Sequence, residues 1–332
     1  MSEMNHQILL ANRPDGAASL NNFHGVEVPL APLTAGQVRV RNHFLSLDPY
    51  MRGMMNNNKS YTAPQELGEV MCGATAGVVT DSRNESWRTG DTVTGMFGWQ
   101  TYGTSNGVGL RKVDATHVPL SAYLGVLGMT GVTAWYGLNR ICLPKPGETV
   151  AVSAASGAVG GIVGQLAKRH ECRVIGIAGG AEKCRYVVEE LGFDACVDYK
   201  KSALQSDLAA AAPGGIDGYF DNVGGTVLDA VMTRMNPHGR IAMCGAIAGY
   251  EGQKLIMANP ALILISRLRV EGFIVGEHLA DWPIALAELG DLVASGTIRF
   301  RESIAVGLDS APEAFLGLLA GRNLGKQLVR LI

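Results

Sequence analysis

Residues 149–164 read Thr-Val-Ala-Val-Ser-Ala-Ala-Ser-Gly-Ala-Val-Gly-Gly-Ile-Val-Gly, and no other stretch constrains the fold as tightly. The apolar run Thr149–Ser153 has the length and β-branched content of a buried strand. A turn of small residues follows, and Gly160–Arg169 then reads as a helix. Ala155, Gly157 and Gly160 stand at the spacing of a G-x-G-x-x-G turn, with alanine in first place. Glycine at 157 lets the backbone approach a pyrophosphate, and glycine at 160 lets the helix lie close to its strand. The free N–H groups and positive dipole end of the helix favour phosphate. A glycine-rich turn alone is a weak signal; the strand before it and the helix after it make it a dinucleotide site.

The pattern continues in the same style. Arg173–Ala178, 195–199, 218–222 and 240–245 read as strands, and 182–191 as a helix. Alternation at this spacing predicts a parallel, doubly wound sheet with right-handed connections. The first third is different: β-branched residues and turn signals place short strands at 37–42, 73–80 and 91–96. The tail reads as strand 303–306, helix 310–319 and strand 326–332, expected to pack back on the N-terminal part. The chain is thus read as α/β, with a β domain at 1–122 and 301–332 and a Rossmann domain at 123–300.

Of the 332 residues, 47% are hydrophobic and 17% charged, enough apolar side chain for two cores. The net charge of −2 and the lack of any basic block argue against nucleic acid and anionic membrane as partners. The first ten residues lack a basic and then apolar leader pattern, so no secretory signal is expected. Two uncharged stretches, 118–139 and 149–167, are broken by glycine, serine or threonine and make poor membrane spans. None of the six cysteines forms a C-x-x-C pair, which suits reduced thiols and a cytoplasmic location.

The dinucleotide type follows from the end of the second strand. An NAD site places a carboxylate there to bind the ribose hydroxyls. This chain has Ile-Ala-Gly-Gly-Ala-Glu-Lys at 177–183. Gly179 and Gly180 leave room for a 2′-phosphate and Lys183 supplies a cation to neutralise it, which points to NADPH. A plain solvated helix lysine is the other reading of Lys183.

Short motifs run through nearly the whole chain: Leu-Asp-Pro-Tyr-Met-Arg at 47–52, Gly-Met-Thr-Gly-Val-Thr-Ala at 128–134, Ala-Ala-Ser-Gly-Ala-Val-Gly at 154–160, Glu-Lys at 182–183, Asp-Asn-Val-Gly-Gly at 221–225, Cys-Gly-Ala-Ile at 244–247 and Asn-Leu-Gly-Lys at 323–326. In this order they resemble the zinc-free medium-chain dehydrogenase/reductases, the NADPH-dependent curcumin, alkenal and prostaglandin reductases. The resemblance implies a GroES-like β domain plus a Rossmann domain, an active site in the cleft between them, and a homodimer. It implies that Gly157, Ala158, Val159 and Gly160 bind the pyrophosphate. Gly179, Lys183 and Tyr199 would hold the 2′-phosphate end. Asn222, Cys244, Gly245, Ala246, Ile247, Tyr250, Phe273, Ile274, Val275 and Asn323 would line the rest of the cofactor, with Thr130 near the nicotinamide.

Zinc-dependent relatives take their ligands from cysteine and histidine in the first domain. Here Leu-Gly-Glu at 67–69 lacks the histidine, and Asp48 stands where a cysteine is expected. The histidines form no H-x-x-x-H or H-E-x-x-H pair, so no metal ligand set is assigned. The activity implied is reduction of the carbon–carbon double bond of an α,β-unsaturated ketone or aldehyde. Hydride addition at the β-carbon builds negative charge on the carbonyl oxygen, which needs a hydrogen-bond donor. Tyr50 and Tyr250 match family positions near the active site and carry a neutral O–H on a rigid ring; each is also open to the reading of a packed ring tied to backbone. Ile265 replaces a second tyrosine found in some relatives. Trp99 and Tyr102 are read either as substrate-pocket walls or as packing, and Arg52 as an ion-pair partner of Asp48 or another acid in preference to a substrate carboxylate. The strand at 270–275 is the expected dimer edge. A quinone reductase and a non-catalytic NADPH-binding protein are the competing readings.

Overall fold

The structure is a computed structural model and describes residues 3–58, 60–201 and 203–332. It forms two compact units: Met1–Gly125 with Glu302–Asn323 and Gln327–Ile332, and Val126–Arg301 with Leu324–Lys326. The short segment Leu324–Lys326, expected with the β domain, groups with the second unit. There the Gly325 N–H donates to Ser156 O (2.9 Å) and the Lys326 N–H to Arg301 O (2.9 Å).

The first unit holds strands β1 (Met4–Leu10), β2 (Phe23–Pro29), β3 (Val38–Ser46), β4 (Thr75–Ser82), β5 (Thr92–Gly95), β6 (Tyr102–Ser105) and β7 (Arg111–Lys112), and the short helix α1 (Tyr50–Met54). β1 and β2 pair as an antiparallel hairpin that the sequence pattern does not announce. The polar residues Asn5, His6 and Gln7 interrupt apolar alternation in β1, and Asn5 is nevertheless buried. The tail supplies β14 (Glu302–Val306), the nine-residue helix α9 (Ala311–Leu319) and β15 (Lys326–Arg330). β15 pairs antiparallel with β3, giving the sheet order β14-β15-β3-β4-β5-β7, with β6 also on β3. Trp99, Phe315, Leu45, Leu47 and Met51 form its main core.

The second unit is built on β8 (Thr149–Ser153), β9 (Arg173–Ala178), β10 (Ala195–Asp198), β11 (Ile216–Asp221), β12 (Met235–Met243) and β13 (Arg269–Gly272). The order is β10-β9-β8-β11-β12-β13 and every pair is parallel. This is the doubly wound arrangement, whose switch point lies at the carboxyl ends of β8 and β11. The helices are α2 (Met129–Tyr136), α3 (Gly160–Arg169), α4 (Ala181–Arg185), α5 (Leu204–Ala211), α6 (Gly225–Met232), α7 (Ala261–Ile265) and α8 (Trp282–Ala294). The helix expected over 182–191 begins as α4 and continues through a wider turn, Tyr186–Glu190, closed by the Leu191 N–H on Tyr186 O.

α3 lies against the sheet because its inner face is glycine. A methyl on Gly164 would meet Phe193 Cζ at 1.8 Å, and one on Gly160 would meet Ala154 O at 2.5 Å. Such a separation excludes any side chain without moving the helix. No helix among the described residues is long and apolar enough to cross a membrane.

Candidate functional site

The turn after β8 is set by its own backbone. Ala154 takes a left-handed conformation (φ 49°), the Ala155 N–H donates to Ile177 O, and the Gly157 N–H donates to Ala154 O. Ala158 lies in the bridge that joins Gly157 to Gly325, and the next two N–H groups, of Val159 and Gly160, meet no acceptor among the described residues. These are the orphan donors of the α3 N-terminus, added to the positive end of its dipole. The ligand chemistry they suit is an anion with several acceptor oxygens.

Beside this turn lies a buried carboxylate at the end of β11. Asp221 Oδ1 accepts from Ser153 Oγ (3.0 Å), Tyr219 Oη (2.7 Å) and the N–H groups of Val223 and Gly224 (3.0 Å each). Ser153 Oγ in turn accepts the Asn222 N–H (2.8 Å), and Asn222 Nδ2 donates to Ser153 O (2.7 Å). The N–H groups of Cys244 and Gly245 end on Asp221 O. Asp221 thereby fixes the loops after β8 and β11 through its carboxylate and the loop after β12 through its carbonyl, which is how Asn222, Cys244 and Gly245 come beside the turn after β8. Nothing in the sequence flagged Asp221 as the centre of this network. The signal available was a carboxylate closing an otherwise apolar strand, Tyr219–Phe220–Asp221.

The third part of the site follows β9. Gly180 has φ +100°, a conformation that favours glycine. Its N–H and that of Lys200 both donate to Asp198 Oδ1 (2.7 and 3.1 Å), so the carboxylate that ends β10 holds backbone. A Cβ on Gly179 would stand 2.9 Å from Tyr199 Cε1 and 3.0 Å from Lys200 Cε; Tyr199 and Lys200 therefore border the glycine loop. Burial and then the charge of Lys200 push the Lys183 ammonium below its ordinary range. Two ammonium groups that repel each other beside an open glycine pair mark a place for a dianion. Sequence reasoning named Lys183 and Tyr199 for this place and did not name Lys200. Its signal was its position one residue after Tyr199, at the end of the neighbouring strand.

Residues 246–250 and 273–275 also lie past strand ends. Ala246 leads into a turn at Ile247–Gly249, and the Tyr250 N–H closes on Ile247 O. Phe273 is buried and packs edge-on against Phe220. Ile274 follows it half-buried, and Val275 O accepts from Trp282 Nε1 (3.0 Å). Thr130 is buried in the first turn of α2. Asn323 lies in the first unit, half-buried between α9 and β15.

The two tyrosines sit in different units. Tyr50 opens α1 in the first unit, held by the Asp-Pro turn at 48–49, and its hydroxyl meets no hydrogen-bond partner among the described residues. Burial first, then the nearby Asp48, Cys72 and Tyr61, drive its pKa well above the usual tyrosine range. Tyr250 is half-buried in the second unit and is also raised, chiefly by burial. Each hydroxyl therefore keeps its proton to higher pH than an ordinary tyrosine. Trp99, read either as a pocket wall or as packing, is fully buried core. It stacks on Phe23 (5.4 Å, 9°) and meets Phe315 edge-on (5.6 Å, 79°). Tyr102 is buried too and donates to the Glu3 carboxylate. Arg52 is buried with Asn56 Oδ1 (2.8 Å) and Gly16 O among its acceptors.

The N–H groups at the start of α3 at one end and two lysines at the other fit the pyrophosphate and 2′-phosphate of NADPH, with the Asp221-braced loops between them. Among the described residues no cluster of three or more His, Cys, Asp or Glu side chains could hold a metal ion.

Comparison with known proteins agrees in scope with this picture. Residues 6–113 match the family described as the N-terminal domain of oxidoreductase, and residues 158–291 the family described as zinc-binding dehydrogenase. The chain is 43% identical to the NADPH-dependent curcumin reductase of Escherichia coli, covering 99% of this chain and 97% of that one. It is 40% identical to the NADP(+)-dependent 2-alkenal reductase of Nicotiana tabacum, over 98% and 97% of the two chains. The crystal structure of CurA from Vibrio vulnificus in complex with NADPH superposes with a TM-score of 0.94 at 42% identity, covering 98% of this chain and 99% of that one.

Proposed function

Since the chain belongs to the medium-chain dehydrogenase/reductases, in the group of NADPH-dependent curcumin, alkenal and prostaglandin reductases, we propose that it reduces the carbon–carbon double bond of α,β-unsaturated ketones and aldehydes. The observation that carries this reading is the site itself: an NADPH-shaped set of donors in the second unit, on a chain alike from end to end to double-bond reductases.

NADPH, when bound, supplies the hydride. The chain's own work is to bind and to donate. The Val159 and Gly160 N–H groups hold the pyrophosphate, Lys183, Lys200 and Tyr199 hold the 2′-phosphate beside Gly179, and Asn222, Cys244 to Ile247, Phe273 to Val275, Thr130 and Asn323 border the rest. Tyr50 or Tyr250 donates its O–H to the carbonyl oxygen as negative charge develops there. Such a donor needs no reorganisation when the charge appears, which is why a fixed, buried O–H is effective. Solvent protonates the α-carbon.

Lys183→Ala is expected to raise the KM for NADPH roughly 30-fold, the loss of about 2 kcal/mol typical of a hydrogen bond to a charged group, and to leave the KM for NADH nearly unchanged. Steady-state kinetics with both cofactors checks this; equal effects on the two would remove Lys183 from the 2′-phosphate site.

The homodimer and cytoplasmic location belong to the same proposal. Among the described residues β13 pairs with β12 alone and so offers a free edge. The helix leading into it exposes Leu264 (79%) and Ile265 (61%), an apolar face of the kind that marks a protein interface.

The reaction is tested by following NADPH absorbance with an enone, a quinone and a saturated ketone as acceptors. The proposal expects turnover of the enone and none of the saturated ketone. Turnover of the quinone alone would make the chain a quinone reductase, and NADPH binding without turnover of any acceptor would favour a non-catalytic role.

A further inference from the structure

The second unit carries a cavity of about 430 Å³, lined by residues that include Cys184, Cys196, Asp198, Lys201 and Asp207. Cys184 comes from the first turn of α4 and Cys196 from β10, on which α4 packs. Both are free thiols, partly open to solvent, whereas Cys142 and Cys172 are buried. The two sulfurs are mutual neighbours, each shifting the other's ionisation. Two thiols from different elements, meeting in one solvent-reached cavity, have no part in the chemistry described above.

We propose that Cys184 and Cys196 form an oxidant-sensitive dithiol that closes to a disulfide on reaction with hydrogen peroxide. The Cys184 thiolate attacks one peroxide oxygen, the O–O bond breaks, and hydroxide leaves to be protonated to water. The resulting Cys184 sulfenic acid is attacked by Cys196, the S–S bond forms, and the sulfenic oxygen leaves as a second water with the Cys196 proton. Two thiols and one peroxide become one disulfide and two waters, the pair giving two electrons.

The order of attack follows from the surroundings. Burial raises the Cys184 thiol and Asp198 adds to it, with the Cys196 thiol and Lys201 partly offsetting the rise. Cys196 is more deeply buried, and Cys184 and Asp198 raise it further. Cys184 is thus the attacking sulfur and Cys196 the resolving one. The bridge would tie the helix of Lys183 to the strand whose Asp198 holds the Gly180 N–H, so it also bears on the proposed cofactor site.

The full chain is treated with hydrogen peroxide, alkylated, digested and analysed by mass spectrometry. The expected product is a peptide joining 184 to 196, two hydrogens lighter than the reduced pair and released by dithiothreitol. In Cys196→Ser the Cys184 sulfenic acid should persist and react with dimedone; in Cys184→Ser position 196 should stay unlabelled. Absence of the joined peptide in the unmodified sequence, or equal labelling of 196 in Cys184→Ser, would overturn the proposal. These readouts do not depend on the reductase reading. NADPH fluorescence titration of the oxidised chain tests the coupling, which does rest on it: binding should weaken several-fold and recover on reduction, and unchanged binding beside a confirmed bridge would reject the coupling alone.

Discussion

Trp99→Ala is expected to destabilise the first unit by about 3–5 kcal/mol, the range for removing a large aromatic from a packed core. Trp99 is fully buried, stacked on Phe23 and edge-on to Phe315, beside Leu45, Met51 and Met71. Its backbone is fixed as well: the Trp99 N–H donates to Met71 O and Trp99 O accepts from Ile8, joining β1 to the sheet. The alanine variant leaves a cavity beside the Phe23 and Phe315 rings that the surrounding strands cannot close. The urea midpoint, followed by near-ultraviolet circular dichroism, should fall by about 1 M or more. Trp99→Phe should cost much less, because it keeps the ring stack and removes an indole N–H that is buried without an acceptor. Equal losses for the two variants would mean that the ring stack is not what stabilises this core.

Tyr50→Phe is expected to lower kcat for enone reduction about 100-fold, the scale of losing one preorganised donor to a developing oxyanion. NADPH affinity should be unchanged. The pH profile supplies a second check. An acid whose pKa is raised stays protonated to higher pH than usual, so Tyr50 keeps its proton through the ordinary tyrosine range near 10. The deficit of Tyr50→Phe should therefore be the same at pH 6 and pH 9. A variant with full kcat would assign the donor role to Tyr250 or to solvent.

Much of the second unit was legible in the sequence, because local signals there agree with the global fold. The strand before the phosphate turn, the glycines at 157 and 160 and the missing carboxylate after β9 each carry their meaning within a few residues. What was not legible depends on distant parts meeting. Lys200 joins Lys183 only because β9 and β10 run parallel with Ala178 opposite Asp198. Asp221 becomes the brace of three loops only once β8, β11 and β12 lie side by side. The thiols of Cys184 and Cys196 are twelve positions apart in the sequence and meet through the packing of α4 on β10. In the first unit, Trp99 was read as wall or packing because an aromatic in a turn-rich segment serves either use, and the hairpin β1–β2 was hidden by polar residues that pair with one another, such as buried Asn5 with half-buried Gln100 (2.9 Å).

The most direct test of the central claim is to supply NADPH deuterated at C4 of the nicotinamide, reduce an enone, and locate the label in the product by nuclear magnetic resonance. The account predicts a saturated ketone with deuterium at the former β-carbon and a solvent proton at the α-carbon. An allylic alcohol carrying deuterium at the carbinol carbon would contradict it, since the chain would then reduce the carbonyl and leave the double bond intact.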